Sequence, residues 1–342
     1  MNKYNSEAPY WITIAHLPKW GTEKINRLVV KILHQFQISL EEFFQLSESE
    51  WKEQFLLSVK EISDLSQAKN ELPNSAFLAE DLYSQGYEII PLNSPSYSQI
   101  LKDNLRIKHA PPILYVKGNA QILHKSSIAI VGSRDASEIS LQFTDNIAKS
   151  ASERNQVVVS GFAKGVDKQA LDSTIKYKGN SIIVLPQGIM TFASGFKRYY
   201  QSITQGDVLV LSVFHPKSVW SAGLAMARNP IIYGLAKDIF VAQSSEKGGT
   251  WSGVINGLKK GRVIYVRMPQ DGENSANMLL IENGAAPVDL AGNPILTHSQ
   301  IIEGNNDNQS NSDQNDNQSN SDQNKEPINI EPQKKLEQLT LF

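Results

Sequence analysis

The chain has 342 residues, 40% of them hydrophobic, which allows one large domain with accessory segments. It contains no cysteine, and this excludes disulfide bonds, zinc–thiolate sites and a cysteine nucleophile. The formal net charge is −2, but three lysines and seven acidic residues lie from Asn305 onward, so the rest carries about +2. That balance permits a nucleic acid as a partner without requiring one.

The N-terminus lacks the features of a targeting or membrane segment. Its first residues, MNKYNSEAPYWITIAHLPKW, contain no continuous apolar stretch and no small-residue cleavage site, so no signal peptide is predicted. The longest apolar runs of the chain are far shorter than the ~20 residues that a membrane helix needs. We therefore predict a cytoplasmic protein with no membrane partner.

Residues 1–85 have a helical pattern. Apolar residues recur at intervals of three and four from Ile25 to Phe36, and shorter apolar patterns follow at Leu40–Leu46 and Ile62–Ala68. A turn at Pro18–Gly21 precedes the first of these helices. We predict a small helical domain of the SAM or helix-hairpin-helix kind, whose apolar stripe either forms its own core or supports a grip on a nucleic-acid backbone.

Residues 86–292 alternate between short apolar runs and helical patterns. The runs are Ile128–Val131, Val157–Val159, Ile182–Leu185, Val208–Leu211, Ile239–Val241 and Val263–Val266. The helical stretches are Phe143–Glu153, Lys168–Tyr177, Gly223–Leu235, Trp251–Lys259 and Ala276–Asn283. Strands that are apolar on both faces are covered by helices on both sides. The fold class is therefore α/β, a doubly wound, Rossmann-like domain with a mainly parallel sheet.

The residues that follow the strands are the candidates for binding. In open parallel sheets, ligands bind beyond the carboxyl ends of the strands, where helix N-termini expose amide groups. Glycine there lets the backbone approach phosphate oxygens, and Arg or Lys adds charge. The predicted DNA- or phosphate-binding residues are Gly132, Ser133, Arg134, Ser160, Gly161, Lys164, Gly165, Arg228, Asn229, Lys247, Gly248, Gly249 and Thr250. The alternative is that these glycines only form tight strand-to-helix turns.

Several segments resemble one known family in the same order. They are Ile128–Arg134 with Ser137, Val158–Asp167 (VVSGFAKGVD) and Arg228–Asn229, preceded by Tyr97, Ile100–Leu101 and Pro112–Asn119 (PILYVKGN). Over roughly residues 85–287 the chain resembles the DprA/Smf family of DNA-processing proteins. The resemblance implies a domain that binds single-stranded DNA, forms a homodimer and hands the strand to the RecA recombinase in natural transformation.

Other positions depart from that family pattern. Pro230 follows Arg228–Asn229 where the family has a second arginine, and Leu171 stands where it has a histidine. Gly248–Trp251 replaces the usual Ser-Gly-Ser, and no winged-helix segment is expected to follow. These departures indicate a divergent branch, whose role is DNA uptake, recombination mediation, or mobile-element or defence biology.

Catalysis is not predicted. The turn Gly248–Thr250 also resembles LOG-type phosphoribohydrolases, but Trp251, Ser252 and Gly253 follow it where those enzymes place a carboxylate. Asp167 is interpreted as a helix N-cap. The histidines are scattered and suggest neither a triad nor a metal site. We therefore expect that the protein is not an enzyme and binds neither a cofactor nor a metal. The alternative is a small-nucleotide sensor or a nucleotide hydrolase that uses the same loops at the carboxyl ends of the strands.

Two aromatic residues near the loops are candidates for stacking on a base. Phe162 lies in a glycine-containing loop, and Trp251 lies at the start of a predicted helix. Base–aromatic stacking contributes ~1–3 kcal/mol and tolerates any sequence. Packing in the core is the alternative for both residues.

The C-terminal segment has a different composition. The nine residues DNQSNSDQN at 307–315 repeat at 316–324 without one apolar residue, so residues 293–337 are predicted to be a disordered linker. Asn/Gln-rich segments also form β aggregates, which the aspartates oppose. The last residues, Gln338, Leu339, Thr340, Leu341 and Phe342, resemble the peptide by which bacterial proteins bind the replicative sliding clamp. The alternative is a hydrophobic terminus that packs on the body.

Together these observations predict a non-enzymatic single-stranded DNA-binding protein of DNA processing or recombination. Its expected partners are single-stranded DNA, the sliding clamp through Gln338, Leu339, Leu341 and Phe342, a second copy of itself and RecA.

Overall fold

The chain was analysed as a computed structural model, which describes residues 3–295. The predicted linker beyond its first three residues, and the predicted clamp-binding residues Gln338, Leu339, Leu341 and Phe342, lie outside the described residues. Contacts unite the chain up to Pro294 into one unit. Within the described part, no helix is both long and apolar enough to cross a membrane.

The N-terminal region is helical, as the pattern predicts. Its helices are α1 (Lys3–Ala15), α2 (Thr22–Val30), α3 (Leu40–Gln45), α4 (Glu48–Glu53), α5 (Val59–Asn70) and α6 (Leu72–Ser84), with a π-helical turn at Lys31–Gln35. Helices α3, α4 and α5 each begin with a capping box, in which a serine and the glutamate three residues later bond to each other's backbone amides.

The apolar stripe of this region forms a core. Ile25, Leu28, Val29 and Ile32 are buried. Phe43 contacts the rings of Trp51 and Phe55, at 5.5 and 4.9 Å between centroids. Of the two interpretations of the stripe, the structure therefore supports packing.

The remainder is built on one mixed sheet. Its strands are β1 (Glu88–Pro91), β2 (Ile113–Lys117), β3 (Ser127–Val131), β4 (Val157–Ser160), β5 (Ser181–Val184), β6 (Val208–Ser212), β7 (Asp238–Val241), β8 (Ile264–Arg267) and β9 (Ala286–Val288). Their order is β1-β2-β6-β5-β4-β3-β7-β8-β9. Strands β3 to β9 pair in parallel, and β1 and β2 add an antiparallel edge. The mainly parallel α/β fold is confirmed.

Helices connect and cover these strands. They are α7 (Gln99–His109), α8 (Glu138–Glu153), α9 (Val166–Lys176), α10 (Ala193–Thr204), α11 (Ala222–Ala227), α12 (Asn229–Gly234), α13 (Gly249–Lys259) and α14 (Asn277–Glu282). The predicted helix Gly223–Leu235 is divided at Arg228. Pro230 at the start of α12 explains the division, because proline has no N–H for the preceding turn and its ring clashes with that turn's carbonyl.

The central strands are buried on both faces. Every residue of β3, β4, β5 and β6 is buried, which explains their continuous apolar runs. Ile130, Phe143, Ile147, Val158 and Val166 form the centre of one core cluster between the sheet and helices α8 and α9. This packing fixes the carboxyl ends of the strands, where the predicted loops begin.

Candidate functional site

The strand order creates a crevice between β3 and β7. From β3 the chain adds β4, β5 and β6 on one side, then returns to place β7 on the other side of β3. Ligands of doubly wound sheets bind at such a reversal, beyond the carboxyl ends of the strands. The loops after β3 and β7 flank this point.

A cavity of about 420 Å³ occupies that position. We call it the rim cavity. Its walls include Gly132–Arg134 after β3, Arg228–Asn229 between α11 and α12, and Lys247–Thr250 before and within the start of α13. These predicted groups, spread over more than a hundred residues of the chain, therefore meet at one place. The predicted residues Ser160, Gly161, Lys164 and Gly165 do not line the rim cavity, although Ala163 and Asp167 do.

The loop after β3 is held by backbone hydrogen bonds. The Ser133 amide donates to the Gln243 carbonyl at 2.9 Å, which joins this loop to the one after β7. The Val166 amide donates to the Ser133 carbonyl at 3.2 Å, which joins it to α9. Arg134 at the loop's tip is exposed. The loop is thus fixed while its arginine faces solvent.

Three predicted residues after β4 support the structure instead of facing a ligand. Ser160 is buried and donates its hydroxyl hydrogen bond to the Ile130 carbonyl at 2.8 Å. Gly165 has φ +74°, and a side chain there would overlap the carbonyl oxygens of Ser133 and Arg134. Gly161 leaves room for the Arg228 guanidinium, which an added Cβ would overlap. In this loop only Lys164, which is exposed, offers charge to solvent.

Arg228 has a different role from the predicted one. Its side chain is 6% exposed, and its Nη2 lies 3.2 Å from Oδ2 of Asp167. Its Nη1 donates to the Val184 carbonyl at 3.1 Å. The expectation that Arg228 presents its charge to a phosphate is corrected, because the charge is already used in a buried ion pair between α11/α12 and α9.

Asp167 also differs from its interpretation as an N-cap. Helix α9 begins at Val166 with Gly165 as its N-cap, so Asp167 lies within the first turn. Its Oδ2 accepts a hydrogen bond from the Ala163 amide at 3.3 Å as well as the Arg228 ion pair. It holds the β4–α9 loop and is not a free carboxylate for acid–base chemistry.

The start of α13 is not capped by a side chain. Gly248 precedes the helix with φ +100°, and no side chain caps it. The first-turn amides of this eleven-residue helix therefore remain available, and the helix dipole adds partial positive charge. Exposed Lys247 lies next to them. Across the described residues, neither Lys247, Arg134 nor Lys164 forms a salt bridge.

Phe162 belongs to an aromatic cluster. Its ring makes T-shaped contacts with Phe192 at 4.7 Å and Tyr199 at 5.8 Å between centroids, and it is half-buried and does not line the rim cavity, so its stacking role stays a prediction. Trp251 is half-buried and does not line the rim cavity. Its stacking role remains a prediction without support from this geometry.

Sequence reasoning missed Trp220. This tryptophan is 53% exposed and lines the rim cavity together with Met226, which is 48% exposed. It lies between β6 and α11, in a segment that contributed no residue to the predicted site. A signal was available, because an aromatic residue after a buried parallel strand lies at the same edge as the other loops.

Comparisons with known proteins show which family this chain resembles. Residues 88–298 match the family model for DNA recombination-mediator protein A. The chain is 30% identical over 189 residues to DNA processing protein DprA of Bacillus subtilis and 30% over 185 residues to that of Streptococcus pneumoniae. These alignments cover 53% and 54% of this chain but only 60% and 65% of the relatives. A Synechocystis protein named Smf is 25% identical over 308 residues, covering 85% of this chain and 72% of that protein.

Solved structures show the same fold. The crystal structure of Streptococcus pneumoniae DprA superposes with a TM-score of 0.59 at 24% identity, covering 84% of this chain and 95% of that one. A structure of Helicobacter pylori DNA processing protein A, described for its single-stranded DNA binding mode, has a TM-score of 0.50 and covers 65% and 96%. The matched family model spans most of the chain, so the chain belongs to the DNA recombination-mediator protein A family, which includes the DprA and Smf proteins.

Proposed function

We propose that this chain binds single-stranded DNA along the carboxyl edge of its sheet and performs no covalent chemistry there. The observation that carries the proposal is the rim cavity, where Arg134, Lys247 and the uncapped start of α13 meet at the strand reversal. A related protein from Helicobacter pylori is described as binding single-stranded DNA. Exposed cations with open amides suit phosphates, and they read no base sequence.

The carboxyl edge of the sheet carries a discontinuous row of positively charged side chains. In sheet order, exposed Lys164 follows β4, Arg134 follows β3 and Lys247 follows β7. Neighbouring strands lie about 4.8 Å apart, so these side chains are spread along one edge instead of sharing one point. Trp220 adds an apolar surface on which a base can stack. The arrangement fits a chain of phosphates with flanking bases.

The absence of a chemical step is part of the proposal. Two carboxylates line the rim cavity, and one of them, Asp167, is bound to Arg228 and to the Ala163 amide. The other is Asp135, whose backbone amide donates to the Ser133 hydroxyl at 3.1 Å. Neither carboxylate has a histidine among the residues that line the cavity.

Salt-dependent binding tests the proposal. With about four phosphate contacts, log K for oligo-dT plotted against log salt should have a slope near −3. Arg134→Ala and Lys247→Ala should each make the slope shallower by about 0.7, since each removes one contact. The control is Lys237→Ala, an exposed lysine that precedes β7 at the opposite edge of the sheet. A flat plot, or equal effects of all three substitutions, would contradict phosphate binding at this rim.

The proposal includes tethering to the replicative sliding clamp. Its support is the terminal sequence Gln338, Leu339, Thr340, Leu341 and Phe342, in which a glutamine amide and apolar side chains suit a polar-edged apolar cleft. A fluorescent peptide of this sequence should bind the clamp with a Kd of about 1 µM, and replacing Leu341 and Phe342 by alanine should abolish binding. Equal binding of both peptides would refute the tether.

A homodimer is also proposed. Met278 and Leu279 on α14 are 43% and 37% exposed, so this helix has apolar surface available for a second copy. Light scattering should give twice the chain mass, and Leu279→Glu should shift the measured mass to that of the monomer.

We also propose that RecA is a partner. If it is, the protein should speed the assembly of RecA on protein-coated single-stranded DNA.

A further inference from the structure

A second cavity adjoins the rim cavity and shares part of its lining. It has a volume of about 230 Å³ and lies between α7, α12 and α13. We call it the helix slot. Met226, Asn229, Tyr233 and Gly249 line both cavities, so the two are adjacent. A ligand group bound at the start of α13 would therefore lie beside the helix slot.

Glycines form part of the α13 wall of the helix slot. Gly249, Gly253 and Gly257 line it at intervals of four residues. A Cβ at Gly253 would lie 2.7 Å from the Tyr233 hydroxyl, and one at Gly257 would lie 2.7 Å from Cδ1 of Ile264. Side chains at these positions would collide with those atoms, so the glycines let α13 pack closely against α12 and β8.

A buried hydroxyl in this slot lacks a partner. Tyr233 is 8% exposed, and its Oη has no hydrogen-bond partner within the described structure. Burial raises the pKa of Tyr233, with a further contribution from Asp167, so the hydroxyl remains protonated and can donate. Leaving such a group unsatisfied is costly, which suits a site that a ligand completes.

The remaining lining defines the chemistry of the occupant. Leu105, Met226 and Pro230 give apolar surface, while Lys260 and Arg262 give positive charge. The lining contains no acidic residue. Arg262 donates to the carbonyls of Tyr233 and Ala236, so its position is fixed. This environment suits a flat, uncharged ring with oxygen acceptors and disfavours a cation. The volume is below the 300–1,000 Å³ of a drug-sized pocket and fits a single ring system.

We propose that the helix slot receives one nucleobase whose phosphate lies at the start of α13. The inference deepens the proposed function and rests on it for the source of the base, which is either one nucleotide of a DNA strand or a free mononucleotide. The juxtaposition that carries it is the uncapped start of α13 and the unsatisfied Tyr233 hydroxyl in two adjacent cavities.

Two substitutions test the helix slot without touching the charged loops. Tyr233→Phe removes the hydroxyl and keeps the ring, so affinity for oligo-dT should fall about three- to tenfold. Asn256 is exposed and lines the helix slot, so Asn256→Trp places a large side chain in the slot. The control is Asn70→Trp, at an exposed position that lines neither cavity. The unbound Tyr233→Phe protein should melt no lower than the wild type, which separates a ligand contact from a structural one.

Oligo-dT is compared with the same strand carrying abasic sites. The wild type and Asn70→Trp should prefer the strand with bases about tenfold, whereas Asn256→Trp should bind both strands equally. The salt slopes should remain equal, since the phosphate contacts are kept. If Asn256→Trp and Tyr233→Phe keep the full preference for bases, the helix slot is not the base site and the inference is overturned.

Measurements with a mononucleotide distinguish a failure of this inference from a failure of the proposed function. Thermal shift is measured with dTMP and with deoxyribose 5-phosphate. Stabilisation by dTMP alone, lost in Asn256→Trp, with no oligonucleotide binding would support the helix slot and refute the strand-binding function. Binding of oligo-dT with the preference for bases lost in Asn256→Trp supports both. No response to either ligand in the wild type overturns both.

Discussion

The role of a side chain in this protein depends on the residues that surround it, and Arg228 is the clearest case. Its sequence position suggests a phosphate ligand, yet Gly161 and Asp167 together enclose it. A buried arginine whose charge is paired contributes to the shape of the rim cavity, and truncating either partner leaves a costly unpaired charge. The cations left for a ligand are those on exposed loop tips, such as Arg134 and Lys247.

Trp220 gives a prediction at this scale. Trp220→Ala should weaken oligo-dT binding by about 1–3 kcal/mol, because it removes an exposed stacking surface from the rim cavity. Fluorescence anisotropy with labelled oligo-dT measures the change. The matched control is Val219→Ala, a neighbour that is 74% exposed and does not line the cavity. Comparable losses for both variants would show that the loop, and not the indole, determines binding.

At the scale of elements, a buried polar network anchors the loop that leads to Lys247. Arg267 at the end of β8 is fully buried, donates to the Ala242 carbonyl at 2.9 Å and forms an ion pair with Glu273. Asn277 on α14 accepts a hydrogen bond from the Ser244 amide at 2.9 Å. Strands β7 and β8 and helix α14 are thereby joined just before the loop enters the rim cavity.

Removing the negative charge from this network should be destabilising. Burial raises the pKa of Glu273, but hydrogen bonds from Arg267 and the Gln270 amide outweigh burial and lower it overall, so the carboxylate is charged at neutral pH. Glu273→Gln should lower the free energy of unfolding by about 3–5 kcal/mol, since Arg267 remains buried without a counter-ion. Urea denaturation measures this. Glu153→Gln, which disrupts an exposed pair with Lys149, should cost under about 1 kcal/mol.

At the scale of the whole molecule, the helical region is packed on the sheet through a histidine cluster. The His16 ring, directly after α1, has its Nε2 2.9 Å from the Tyr115 hydroxyl of β2, and its centroid is 5.3 Å from that of His215 in the loop after β6. That same loop continues to Trp220 at the rim cavity. The contact therefore joins the N-terminal helices to the sheet and to the loop carrying an exposed site residue.

This cluster predicts acid sensitivity. Burial, with a smaller contribution from His215, lowers the pKa of His16 to about 3, whereas the unfolded chain has the ordinary value of about 6.5. The unfolded state therefore binds a proton first, so the contribution of His16 to stability is complete above pH 6.5 and declines as the pH falls toward 3. The loss reaches at most about 1.4 kcal/mol per pH unit.

Melting temperatures at pH 8 and pH 5 check this. The wild type should lose more stability between the two values than His16→Gln, which cannot be protonated. His109→Gln is the control, because that histidine is the last residue of α7 and is exposed. An identical pH dependence of the wild type and His16→Gln would show that the buried histidine does not govern acid sensitivity.

The sequence by itself determined the parallel strands, the loops at their carboxyl ends and the resemblance to one family. Continuous apolar runs require burial on both faces, and glycines after strands require close backbone approach, so both follow from local chemistry. Only the tertiary structure decided that Arg228 is paired while Arg134 is exposed, and that Trp220 and not Phe162 faces the rim cavity. Those outcomes depend on residues far away in the chain, such as Asp167 and Phe192, whose positions no local pattern encodes.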